Sequence, residues 1–108
     1  MPANPNPIEI SENLFASFAE LRDLSIDEDK EELGDEIINL MIYCTTKNMK
    51  PHTLYSKESG LSNGKIIIST RLYTELSDHV DTVAENYGPD TSEELQNFLS
   101  DHTILEKA

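Results

Sequence analysis

Basic residues are scarce in this chain: 8 lysines and arginines stand against 21 aspartates and glutamates, giving a net charge of −13 over 108 residues. Such a field repels nucleic acid and anionic membranes, since nucleic-acid affinity draws mainly on cations that neutralise phosphates. Cysteine is limited to Cys44, which excludes an internal disulfide framework and fits a reducing compartment. No stretch approaches the roughly 18 apolar residues of a spanning helix, and the opening "MPANPNPIEI" lacks the basic and apolar regions of a secretory signal. A cytoplasmic location is the expectation. Also missing are a glycine-rich phosphate loop, a Cys-x-x-Cys pair and a Gly-x-Ser-x-Gly elbow, so the chemistries those motifs carry have no support here.

What is present suits one domain, since a chain of this length buries roughly two-thirds of the surface it would expose unfolded. Three prolines in the first seven residues fix extended backbone, so residues 1–9 read as a disordered lead before a single acidic domain over 10–108. Ser11 is placed to cap a helix over 12–24, with Ile10 and Phe15 as a hydrophobic staple and Leu14, Phe18 and Leu21 on its inner face. Ser25 followed by Glu28 has the spacing of a capping box. It implies a second helix from there to about Lys47, with the stripe Leu33, Ile37, Leu40, Met41 and Cys44. Cys44 on that stripe is expected to be buried and unreactive.

The middle segment differs in kind. It holds Pro51, Gly60, Asn63 and Gly64, and "TLYS" could pair with "KIIIST" as a hairpin, or Ile68 could instead open the next helix. From about Thr70 the spacing Leu72, Leu76, Val80, Val83, Tyr87 is helical again, and Gly88-Pro89 ends it. Thr91 with Glu94 suggests the cap of a last helix carrying Leu95, Phe98 and Leu99, after which Ile104 and Leu105 are expected to tuck down. No internal repeat is evident. The fold class expected is mainly α, a small four-helix bundle-like domain, with a short β-hairpin in the middle segment left open.

The acids are concentrated in the helices. Residues 1–49 hold 11 acids and 3 bases, residues 50–70 hold 1 and 3, and residues 71–108 hold 9 and 2. At about 100° per residue, Glu28, Glu31, Glu32 and Asp35 are expected on one side of the second helix, and Asp78, Asp81 and Glu85 on the outer side of the third. Beyond the first set come Ile38 and Ile42, well off the core stripe. Either another helix covers them, the commoner arrangement in a bundle, or they form an apolar anchor beside a charged rim.

Specific chemistry is harder to find. "EELGDEIINLMIY" resembles the second acidic helix of MazG-like nucleotide pyrophosphohydrolases, in which a Glu and an Asp three positions on hold magnesium. The resemblance implies that role for Glu32 and Asp35. That family also draws paired glutamates from an earlier helix, where this chain has Glu12, Glu20 and Asp23 singly. Asp27, Asp29 and Glu31 alternate as in a calcium loop, but Glu32 stands where that loop needs its turn glycine. His52, His79 and His102 form no ligand pair at helical spacing.

These features favour a binding protein rather than an enzyme, with no cofactor and no metal. The expectation is an acidic inhibitor, of immunity, antitoxin or anti-defence type, held against a basic partner such as a nuclease or other nucleic-acid-binding protein. Glu28, Glu31, Glu32, Asp35, Asp78, Asp81 and Glu85 would supply charge, and Ile38, Ile42 or Tyr43 the apolar anchors. An acidic adaptor, secretion chaperone or assembly subunit is the alternative. The metal-dependent pyrophosphohydrolase comes third.

Overall fold

A computed structural model of the chain describes residues 8–47, 61–62 and 65–106. Of the lead expected over 1–9, residues 1–7 lie outside the described residues and Ile8–Glu9 form strand β1. Helix α1 (Glu12–Asp27) follows, and the Ser11 hydroxyl accepts the Leu14 N–H at 3.1 Å, as expected of its cap. Leu14 and Phe18 are fully buried, Ile10 and Leu21 nearly so, and Phe15 packs on the rim of the same core.

The capping box expected at Ser25 is not formed. Ser25 lies inside α1, buried one helical repeat beyond Leu21, and its hydroxyl donates to the Leu21 carbonyl at 2.8 Å. That bond satisfies the serine within the helix, so nothing stops α1 there. The helix ends instead in a Schellman closure, with the Asp29 N–H on the Ile26 carbonyl at 3.1 Å and the Lys30 N–H on the Ser25 carbonyl at 2.7 Å. Asp29 takes the left-handed conformation this needs, φ 62°.

Helix α2 (Glu31–Ile42) buries Leu33, Gly34, Ile37 and Leu40. It was expected to reach about Lys47 and stops earlier, because Cys44–Thr45 form β2, paired in parallel with β1. Further along the chain, Leu61–Ser62 (β3) pair antiparallel with Lys65–Ile68 (β4). The second arm of the hairpin is therefore the one expected, with Leu61–Ser62 as its partner; "TLYS" and His52 lie outside the described residues. In β4 the alternation of strand side chains buries Ile66 and Ile68 and turns Ile67 outward.

Ser69 caps helix α3 (Thr70–Tyr87), its hydroxyl accepting the Leu72 N–H at 3.1 Å. Gly88, at φ 99° and ψ 164°, ends α3 and begins helix α4 (Pro89–His102). The last helix thus starts two residues before the expected cap, with Pro89 in its first turn and Thr91 and Ser92 buried within it. Strand β5 (Thr103–Leu105) then pairs in parallel with β4. Ile104 and Leu105 do not tuck down: their backbone joins the sheet while their side chains stay exposed. The chain is mainly α, four helices with two small strand sets, and Phe18 meets Phe98 edge to face at 5.5 Å in the core between α1 and α4.

The structure also shows a repeat that the sequence reading missed. β1-α1-α2-β2 and β4-α3-α4-β5 are each a parallel strand pair joined by a helical hairpin. At one constant offset Ile10 matches Ile68, Ser11 matches Ser69, Leu14 matches Leu72, Phe18 matches Leu76, Ile37 matches Leu95 and Leu40 matches Phe98. Both members of each apolar pair are buried. The links between halves are reciprocal. Ser11 bonds to Glu94 of the second half, and Ser69 bonds to Glu36 of the first, with Glu36 and Glu94 themselves one offset apart. Such an exchange is what an approximate two-fold produces. Acidic positions recur as well, Asp23 with Asp81, Asp27 with Glu85 and Asp35 with Glu93, while most other surface residues differ and hide the repeat.

Candidate protein-binding surface

The acidic side expected on the second helix divides in the structure. Glu28 is not on that helix; it caps the end of α1, and Lys30 approaches its carboxylate at 3.7 Å and that of Glu75 at 3.8 Å. Glu31 and Glu32, neighbours in sequence, point about 100° apart. Glu32 turns toward α3, where the Arg71 guanidinium lies at 3.4 Å, and Arg71 is also tied to Glu36. Those two carboxylates raise the Arg71 pKa further, Glu36 contributing most. Together Asp29, Glu31, Glu32 and Glu75 line a cleft of about 600 Å³ with Lys30 and Arg71. Part of the expected ridge therefore serves the α2–α3 junction.

Asp35 falls on the other side of α2, on the same flank as Ile38 and Ile42, and Glu31 begins that flank at the mouth of the cleft. Both acids are exposed, and neither forms an ion pair among the described residues. Of the two arrangements open for these residues, cover by a neighbouring helix or an apolar anchor at the surface, Ile38 follows the second at 39% exposed, while Ile42 is half-buried. The reason is topological: α1 covers one flank of α2 and β4 with α3 the other, and among the described residues no further helix closes the outer side. Tyr43 is corrected in the opposite sense. It is buried, which raises its phenol pKa, and it is no surface anchor.

On the α1 part of this outer side stands Ile26, 44% exposed, a residue the sequence reading missed by ending α1 too early. Extending the Leu14, Phe18, Leu21 face by one more turn would have placed Ser25 inside and Ile26 on this flank. The helices approach closely here: a Cβ at Gly34 would stand 3.0 Å from Ile26 Cγ1. Asp23 and Asp27 border Ile26, and Arg22 close by is held by Asp23 at 3.1 Å. Asp78, Asp81 and Glu85 take the outer face of α3 as expected, exposed and in no ion pair among the described residues.

Other chemistry is sparse. No group of three His, Cys, Asp or Glu side chains among the described residues is arranged to hold a metal ion, and Glu32 is engaged by Arg71 rather than turned to meet Asp35. Cys44 is buried, its thiol pushed up to about 12 by desolvation, with Sγ 3.5 Å from the Leu40 carbonyl. His79 is buried on α3; desolvation holds its imidazole below the ordinary value, opposed by Glu20 and Glu75. No helix among the described residues is long and apolar enough to cross a membrane. Compared with protein-family models, curated proteins and solved structures, the chain returns no match.

Proposed function

We propose that this chain is an acidic protein-binding inhibitor, of immunity, antitoxin or anti-defence type, that occupies the basic surface of a nucleic-acid-handling protein in the cytoplasm. The observation that carries this reading is the set of exposed carboxylates the fold leaves unneutralised. Glu31 and Asp35 on α2 and Asp78, Asp81 and Glu85 on α3 form no ion pair among the described residues, while Glu28, Glu32, Glu36 and Glu75 are drawn to Lys30 and Arg71. Unpaired surface charge adds nothing to folding and opposes compaction, so its concentration on two faces fits a role in meeting an opposite charge. Association is then fast and salt-sensitive, and affinity rests on a few apolar contacts.

The exposed isoleucines also suit an acidic adaptor whose partner has no nucleic-acid groove. The two readings differ in salt response. The tagged chain is used to capture proteins from its host lysate, with washes at low and then moderate salt and identification by mass spectrometry. A basic nucleic-acid-binding protein that leaves as salt rises is the expected result. A partner that resists salt and lacks a basic surface would replace the inhibitor by the adaptor.

A further inference from the structure

The two halves of the molecule give an internal comparison of the same surface. Between α3 and α4 the fold leaves a groove of about 440 Å³, whose lining includes Val80, Asp81, Gln96 and Ser100. At the same offset, the outer groove between α1 and α2 carries Arg22, Asp23, Ile38 and Ile42. Ile26 corresponds to Ala84. At the positions of Ile26, Ile38 and Ile42 the second half carries Ala84, Gln96 and Ser100, and the apolar lining of its groove comes from Tyr73, Val80 and Leu99 instead. The first half places three isoleucines at those positions, two of them more than a third exposed and Ile42 half-buried. Exposed branched apolar side chains grouped in one groove mark a surface that something covers.

The charge around the groove narrows what that is. Asp23 and Asp27 lie on the α1 side and Glu31 and Asp35 on the α2 side, and Arg22 beside them is already held by Asp23. A second copy docked here would set carboxylates against carboxylates, and phosphate-rich surfaces meet the same repulsion. A cationic protein segment does not. A helix is a fitting occupant, since α1 and α2 are in close contact at Gly34 and a third helix can pack against the outer sides of both, as in helix-in-groove complexes.

We propose that the outer groove between α1 and α2 docks a basic amphipathic helix of a partner protein. Its apolar stripe covers Ile26, Ile38 and Ile42, and its lysines and arginines meet Asp23, Asp27, Glu31 and Asp35. The proposal rests on the acidic-binder reading and assigns that binding to one face and one kind of element.

The test titrates the isotope-labelled full chain, followed by NMR, with a synthetic helical peptide bearing leucine at i, i+3, i+4 and i+7 and lysine elsewhere. A scrambled peptide of identical composition is the control. A variant with Ile38→Gln and Ile42→Ser borrows the residues the second half already uses, so its fold is tolerated, and its own spectrum verifies that. The expected result is a set of shifts centred on Ile26, Asp35, Ile38 and Ile42, about tenfold tighter binding of the helical peptide than of the scramble, and loss of that tenfold in the variant. Equal binding of both peptides, shifts centred elsewhere, or a folded variant that binds like wild type would overturn the docking site and leave the acidic-binder reading standing. Failure of both cationic peptides to bind at low salt would overturn the two together.

Discussion

Asp29 and Gly88 both hold left-handed backbone, but only one of them is glycine. At Asp29 the Schellman closure of α1 asks for the conformation that glycine adopts without cost, so Asp29→Gly should stabilise the fold by up to about 1 kcal/mol, read from the urea midpoint. At Gly88 the combination of φ 99° and ψ 164° is one that side chains scarcely reach. Nothing lies within 4 Å of a Cβ there, so Gly88→Ala should cost about 1–3 kcal/mol through backbone strain alone. His79 gives the fold a pH response. Its folded pKa lies below its unfolded one, so below about pH 6.5 the unfolded chain takes up the proton first and stability falls as pH falls. His79→Leu, the residue type that Leu21 supplies at the matching site, should flatten the melting temperature between pH 7 and pH 5. A slope unchanged by the substitution would assign the acid response elsewhere.

At the scale of elements, the helix cap that read correctly from sequence is Ser11, placed immediately before an apolar stripe; Ser69 stands in the same place before α3 and was not read as a cap. The one that misled, Ser25, has the same local spacing but continues the buried face of α1. A capping pattern and a core position look alike in sequence, and burial decides between them. The strands β1, β2 and β5 were illegible because two or three residues carry no periodicity, and pairing partners far along the chain define them. Ser69 has two tasks, accepting the Leu72 N–H and bonding to Glu36 of α2. Ser69→Ala should therefore cost about 1–2 kcal/mol, at the upper end for a cap, and a double-mutant cycle with Glu36→Gln should show coupling between the sites. Additive effects in that cycle would mean the link between halves contributes little.

Across the whole molecule, the two βααβ units share a core and several exposed acids, and differ at Ile26, Ile38 and Ile42, where the second unit carries Ala84, Gln96 and Ser100. The acidic face of α3 was legible because Asp78, Asp81 and Glu85 recur at helical spacing. The division of the α2 acids was not, because it depends on Arg71 reaching Glu32 and Glu36 from another helix. That division separates carboxylates that hold α2 to α3 from those free to meet a partner, and it fixes which charges to reverse. The most direct test measures affinity for the partner recovered from the lysate, at low and moderate salt, for wild type and for a variant with Glu31→Lys and Asp35→Lys. Both positions are exposed and outside the ion pairs of the described residues, so the fold is expected to stand. The expected result is an affinity loss of about tenfold or more at low salt and a shallower salt dependence. Unchanged affinity at low salt would contradict it.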